Sequence, residues 1–290
     1  MFINKGLVLE GGGMRGLFTA GVLDFFLDKD LCFDRCLGVS AGSCHACSFI
    51  SKQRGRAFRV GTDYLNERDY CSTYSLLRTG DLFGAEFLYD RIPNELDPFD
   101  VETYRKNPME FYVVTTDVLT GQPLYHLCPN GDESDLTWFR ASASMPLAAN
   151  VVEADGRWML DGGIVDSIPL KFAEGKYDRN VVVLTQPIDY IKKKNKAMPL
   201  VRNRMKQYPK VVAAMARRHE DYNREVAYIR YRERAGKVFV LRPEAPLYLS
   251  RTEHDPAKLL KAYDHGRTVA EKRMAALKEF LNAGGTPNER

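Results

Sequence analysis

Gly38-Val39-Ser40-Ala41-Gly42 closes one apolar run, Phe33 to Val39, and opens a segment rich in small residues, Ala41 to Ile50. The first pattern suits a strand and the second a helix. A serine hydroxyl is a poor nucleophile until it is exposed, aligned and relieved of its proton. A sharp strand-to-helix turn supplies the first two conditions if the close neighbours lack bulk, and Gly38 and Gly42 lack it. The following helix also directs its N-terminal N–H groups toward the serine, which favours negative charge there.

Upstream, Gly6 to Glu10 is a second short apolar run, followed by Gly11-Gly12-Gly13-Met14-Arg15-Gly16. Leu17 to Leu27 carries Leu17, Phe18, Val22, Phe25 and Phe26 and suits a largely buried helix. Strand–turn–helix twice over is the opening of a parallel α/β sheet. Acyl transfer needs donors for the oxyanion of its tetrahedral intermediate, each worth about 2.7–4 kcal/mol of barrier. Gly11, Gly12 and Gly13 can present successive backbone N–H groups with no side chain in the way. Arg15 and Gly16 complete the turn, Arg15 either holding the loop by pairing or lying near an anionic head group. Gly11, Gly13 and Gly16 also fit the G-x-G-x-x-G of a dinucleotide site, which wants an acidic residue ending the second strand about 20 positions on. Asp34 falls near the start of that strand, whose end is Val39-Ser40, so nucleotide binding is the weaker reading.

The stretch from Ser51 to about residue 110 is rich in Arg, Tyr, Asp and Asn and shows no clear strand; it reads as short helices and loops forming a partial cap. Strands are expected at Phe111–Thr116, Pro123–Leu127, Val151–Glu153, Arg157–Leu160, Val181–Leu184 and Val238–Leu241, with Asp155-Gly156 as a hairpin turn. Pro256 to Leu281 reads as a long closing helix. The division expected is a catalytic domain over residues 1–185 and a basic, largely helical C-terminal extension over 186–290.

With 290 residues, 44% apolar and 28% charged, the chain has the composition of a soluble globular protein that can bury a sizeable core. No apolar run reaches the ~20 residues of a membrane-spanning helix. Met1 to Lys5 leads straight into the first strand, so no signal peptide is expected. The six cysteines, Cys32, Cys36, Cys44, Cys47, Cys71 and Cys128, do not suggest a disulfide framework, and the pair Cys44-x-x-Cys47 has no second pair at zinc spacing. Reduced thiols, a cytoplasmic protein, no metal and no cofactor are expected. The net charge is +4, but Lys192 to Lys237 holds fifteen Lys or Arg against four Asp or Glu, leaving the remainder net negative. This segment is either a solvated basic face or a dock for an anionic lipid surface, which would make the protein peripheral at the membrane. No nucleic-acid motif accompanies it.

The serine needs a base. None of His45, His126, His219, His254 and His265 sits in a glycine-flanked turn. His45 is placed to point away from Ser40, and His254 and His265 lie in charged, surface-like surroundings. Leu160-Asp161-Gly162-Gly163 instead ends an apolar strand in an aspartate followed by two glycines, as a fixed carboxylate requires.

Taken together, G-G-G-M-R-G, G-V-S-A-G and D-G-G resemble the patatin-like phospholipase family. T-T-D-V-L-T-G-Q-P (Thr115 to Pro123), R-A-S-A-S-M-P (Arg140 to Pro146) and L-D-G-G-I-V-D-S-I-P (Leu160 to Pro169) extend the resemblance over roughly Gly6 to Thr185. The whole looks like a bacterial member with a C-terminal extension. The resemblance implies a three-layer α/β/α fold, hydrolysis of lipid acyl esters in lipid catabolism, and a Ser–Asp dyad without histidine. By it, Ser40 is the nucleophile, Asp161 the general base, and Gly12 and Gly13 line the oxyanion hole. Many members carry asparagines where this chain has Asp166 and Ser167. A regulator that binds lipid or protein on the same fold with little turnover is the alternative.

Overall fold

The computed structural model describes residues 4–283; Met1 to Ile3, ahead of the first strand, and the last seven residues of the C-terminal section lie outside the described residues. The strands β1 (Lys5–Leu9), β2 (Arg35–Val39), β3 (Glu110–Asp117), β4 (Pro123–Leu127), β5 (Val152–Ala154), β6 (Arg157–Asp161), β7 (Arg179–Val183) and β8 (Val238–Leu241) form one sheet. Its order is β5-β6-β3-β2-β1-β7-β8, with β4 paired to β3 off that path. The run from β3 through β2, β1 and β7 to β8 is parallel, while β4, β5 and β6 are antiparallel to their neighbours. The hairpin between β5 and β6 turns on Asp155 and Gly156, with φ of 51° and 70°, the left-handed pair that a two-residue hairpin loop prefers.

The helices are α1 (Leu17–Asp28), α2 (Ala41–Ile50), α3 (Arg56–Thr62), α4 (Thr73–Thr79), α5 (Val101–Lys106), α6 (Glu133–Ser142), α7 (Leu170–Glu174), α8 (Met198–Arg204), α9 (Pro209–Arg234) and α10 (Pro256–Asn282). Side chains alternate across the strands and build two apolar layers. Leu7, Leu9, Val181, Val183, Phe239 and Leu241 pack with α1, α2 and α10 on one face. Val8, Leu37, Val182, Val238 and Val240 pack with α7 and with Tyr222, Val226 and Ile229 of α9 on the other. The result is a three-layer α/β/α sandwich. Between α2 and β3, the stretch expected as a cap is α3, α4, a π-helical segment Phe87–Leu96 and α5.

Residues after 185 complete this sandwich: β8 extends the sheet from β7, and α10 lies along α1. The two helices approach through paired glycines. A Cβ on Gly21 would lie 2.0 Å from the Tyr263 carbonyl oxygen, and one on Gly266 would lie 2.0 Å from that of Phe18. Tyr263 donates to Asp24 at 2.7 Å beside this contact. Gly21→Ala must therefore push the helices apart, and overpacking of this kind costs about 1–3 kcal/mol. A lower urea midpoint at unchanged slope is the expected result, and an unchanged midpoint would contradict the close packing.

Two details of register bring the site together. First, β1 and β2 run parallel with Leu9 opposite Gly38, so the turns after them emerge side by side. Second, β4 pairs with Thr115 and Thr116 of β3, and so does β6, which places β4 and β6 on opposite sides of β3. β2 and β4 share Tyr112 to Val114, so they too lie on opposite sides. β6 therefore continues β2's side of β3 past the end of β2. Val39 sits opposite Val114 and Asp161 opposite Thr115, so Ser40 and Asp161 meet at the junction of the two strands.

Candidate active site

Ser40 occupies the elbow between β2 and α2 with φ 54° and ψ −126°. A left-handed φ on a non-glycine residue costs on the order of 1–3 kcal/mol and persists only where its surroundings hold it. Those surroundings are tight: a Cβ on Gly38 would lie 2.6 Å from the Ser43 Cα, and one on Gly42 2.6 Å from the Leu9 carbonyl oxygen. The Ser40 N–H donates to Ser142 Oγ at 2.8 Å, and that hydroxyl donates onward to the Val114 carbonyl at 2.7 Å. Ser144, two residues on, accepts the Asp161 N–H through its carbonyl at 2.9 Å. The R-A-S-A-S-M-P segment thus clamps both residues at once, a role the sequence alone did not disclose.

Asp161 ends β6, where the Thr116 hydroxyl donates to its carbonyl at 2.7 Å. Its carboxylate Oδ1 accepts the Gly163 N–H at 2.7 Å. Gly162 is required by contact, because a Cβ there would lie 2.2 Å from the Val114 carbonyl oxygen. Burial pushes the Asp161 carboxyl above its ordinary range, while the Arg218 guanidinium, the Ser40 hydroxyl and the Gly163 N–H pull it part of the way back. The loop after it is fastened by Asp166 and Ser167. Asp166 accepts the Tyr125 hydroxyl at 2.6 Å, and the Ser167 hydroxyl donates to the Gly163 carbonyl at 2.9 Å.

Gly11 lies directly against the serine, since a Cβ on it would fall 2.7 Å from the Ser40 Cβ. Gly13 needs a left-handed φ of 58°, and a Cβ there would strike the Arg251 carbonyl oxygen at 2.5 Å. The Met14 N–H is taken by that same carbonyl at 3.1 Å. The N–H groups of Gly12 and Gly13 have no hydrogen-bond acceptor among the described residues, and both glycines line the cavity that holds Ser40. Gly16 packs on α2 against His45 and Ala41. Arg15 makes no ion pair among the described residues, and its Nε is buried without a hydrogen-bond partner. The pairing that would let it anchor the loop is thus absent there.

Glu10, at the end of β1, is buried and was not singled out in the sequence. It accepts the Thr185 N–H at 2.6 Å and the Tyr222 hydroxyl at 2.7 Å, tying the ends of β1 and β7 to α9. Arg218 is the other unforeseen residue. Its Nε donates to the Gly163 carbonyl, so it braces the turn that carries Asp161. Lys192 and Arg251, also beyond residue 185, line the same cavity.

Among the described residues, His45 is the histidine that lines the Ser40 cavity. His45 packs on Gly16, and burial pushes its pKa down to about 4. The His254 ring contacts the carbonyl oxygens of Thr252 and Cys71, each at 2.9 Å. His265 Nε2 accepts the Glu244 N–H at 3.2 Å. His126, Cys128 and Asp135 bring potential metal-ligand atoms within 4.8 Å of one another, but none of them lines the Ser40 cavity. Their arrangement already has structural partners: Asp135 accepts two backbone N–H groups, and His126 stacks on Trp138 at 3.7 Å. Cys44 and Cys47 are free thiols; burial pushes Cys44 up to about 12, and Cys47 donates to the Cys44 carbonyl at 2.9 Å.

The cavity holds about 340 Å³ and reaches from Ser40 under the cap. Leu88, Tyr89, Ile92, Phe99, Phe139 and Met145 give that side an apolar wall. A small set of polar groups at one end of an apolar chamber suits an elongated, mostly apolar ligand with its reactive group at the serine.

Fold and site together define a three-layer α/β/α protein with a serine on a strand-to-helix elbow. The chain belongs to the patatin-like phospholipase family, whose model matches residues 7–174. A domain of unknown function, DUF6363, matches residues 208–282. The chain is 33% identical over 183 residues to the uncharacterized protein YjjU of Escherichia coli, covering 61% of this chain and 50% of that one. It is 26% identical over 179 residues to the uncharacterized NTE family protein Rv2565 of Mycobacterium tuberculosis, covering 61% and 29%. It is also 26% identical over 181 residues to lysophospholipase nte1 of Aspergillus terreus, covering 59% and 11%. The chain therefore spans half or less of the length of these relatives. VipD from Legionella pneumophila superposes with a TM-score of 0.47 at 11% identity, over 95% of this chain and 67% of that one.

Proposed function

We propose that the protein is a lipid acyl hydrolase of the phospholipase A type, working through Ser40 and Asp161. The observation that carries this reading is the register of β3, which sets the elbow serine beside a buried carboxylate at the head of an apolar cavity. Asp161 takes the Ser40 proton as Oγ attacks the ester carbonyl carbon. The Gly12 and Gly13 N–H groups receive the oxyanion. Collapse of the tetrahedral intermediate breaks the ester C–O bond, and the leaving alcohol takes the proton from Asp161. Water then adds to the acyl-serine with Asp161 again as base, releasing the fatty acid. The raised pKa of Asp161 suits this work, because a stronger base takes a serine proton more readily. The name of the fungal lysophospholipase supports the same substrate class. Fatty acid released from a lysophospholipid by the wild-type protein, and lost in Ser40→Ala, tests the reading.

A lipid substrate requires an approach to a membrane, and among the described residues no helix is long and apolar enough to cross one. Peripheral docking through the Lys192–Lys237 segment fits its surface. Leu200 in the segment and Ile188 and Ile191 just ahead of it are 63%, 50% and 71% exposed, and Lys193, Lys194, Lys196 and Arg202 are exposed as well. Such a mixture suits an anionic interface. Co-sedimentation with phosphatidylglycerol vesicles should fall as salt rises, because the Debye length shrinks from ~10 Å at 0.1 M to ~3 Å at 1 M. Salt-independent binding, or none, would return the segment to a solvated face.

A further inference from the structure

The Ser40 cavity is lined by six arginines and lysines, and they fall into two groups. Arg56 and Arg140 are neutralised, by Asp97 at 3.6 Å and Asp81 at 3.2 Å. Arg15, Lys192, Arg218 and Arg251 make no ion pair among the described residues. Three carboxylates stand near them without closing an ion pair: Glu10 accepts from Thr185 and Tyr222, Asp161 accepts from Gly163, and Glu225 keeps its Oε2 buried without a hydrogen-bond partner. Arg15 keeps its Nε buried without an acceptor. The Lys192 ammonium stands 3.9 Å from the centre of the Tyr222 ring, with no carboxylate to meet it.

These cations feel one another. Burial and the charge of Arg251 lower both Arg15 and Arg218, against opposing pulls from Glu10 on Arg15 and from Asp161 and Glu225 on Arg218. Burial, with Arg218, Arg251 and Arg15, brings Lys192 down to about 7, against a smaller opposing pull from Glu10. Four cations only partly compensated by Glu10, Asp161 and Glu225 are unfavourable at a partly buried site, and a ligand that brings further negative charge relieves this.

We propose that Arg15, Lys192, Arg218 and Arg251 form a subsite for a phosphate group, so that the preferred ligands are acyl esters whose head group carries phosphate. This rests on the acyl hydrolase reading for the position of the ester, which would lie at Ser40 with its acyl chain under the cap. Guanidinium forks bond phosphate oxygens in pairs, and an ammonium adds a movable point charge. Three of the four cations come from beyond residue 185. The C-terminal section thereby supplies the selective half of a pocket whose reactive half lies in the patatin domain.

Binding to full-length Ser40→Ala protein tests the subsite apart from turnover. The ligands are an ether-linked alkylglycerol phosphate and the alkylglycerol of the same chain, neither of them hydrolysable. The phosphate should bind at least tenfold more tightly, and Lys192→Gln/Arg251→Gln should remove most of that preference. Arg251→Gln alone, at an exposed side chain, should remove part of it. Equal affinities, or a preference that survives both substitutions, would overturn the proposal. Inorganic phosphate that binds while the two lipids bind alike would assign the cations to a free anion and overturn it too. Absence of hydrolysis in the wild type would defeat the acyl hydrolase reading and leave this binding result standing by itself.

Discussion

Ser40→Ala is expected to reduce hydrolysis of a lysophospholipid or a p-nitrophenyl acyl ester to the buffer rate, a loss of at least about 10³-fold. The substitution removes the attacking oxygen and little else. The elbow is held by the Ser40 N–H to Ser142 bond and by the packing of Gly38 and Gly42, none of which uses the hydroxyl. Urea and thermal midpoints should therefore stay near those of the wild type. Retained turnover in a folded variant would remove Ser40 from the chemistry. Loss of turnover together with loss of the fold would instead make the elbow structural.

Asp161→Asn should lower kcat/KM by about 10²–10⁴-fold, the usual contribution of a general base. The pH dependence separates this from a change in shape. Burial holds the Asp161 carboxyl above its ordinary range, so the wild-type rate should fall as pH drops through that raised pKa. The acid limb should stand above the ~3.9 of an unperturbed aspartate and vanish in the asparagine variant. The linkage has a definite sign. A carboxyl whose folded pKa is raised binds its proton more tightly in the folded state, so its ionisation opposes folding above the unfolded pKa. At pH 7 the asparagine variant should thus be no less stable by this effect, although it gives up the attraction to Arg218. A large fall in the urea midpoint would mean that the aspartate is mainly structural. His254→Ala and His265→Ala should be mild, because both rings bond to backbone groups and neither lines the Ser40 cavity.

The legible part of the site was the part written in turn chemistry. An elbow serine between glycines, a triple glycine after a strand and an aspartate before two glycines are local patterns, and the structure explains each by a contact that a Cβ would violate. What escaped the sequence was long-range. Nothing local says that β6 takes up β2's side of β3, which is what brings Asp161 to Ser40. Nothing local says that Ser142 and Ser144 clamp the two.

Arg218 escaped for a different reason. Inside a strongly basic run it reads as one more solvated charge, lying between apolar positions. Yet Val211, Met215, Arg218, Tyr222, Val226 and Ile229 keep one helical stripe, with Arg218 three residues after Met215 and four before Tyr222. A charge on the buried stripe of an amphipathic helix is the signal that could have found it. The closing helix was expected, but its contact with α1 through Gly21 and Gly266 was not, because each glycine is innocuous until the other helix is placed against it.

The most direct measurement is the site of labelling by a fluorophosphonate, which reacts with an activated serine in place of an ester. Mass spectrometry of the folded, labelled protein should find one adduct on the peptide carrying Ser40, with its rate of formation much reduced in Asp161→Asn. A folded protein that stays unlabelled, or one labelled at another residue, would contradict the account.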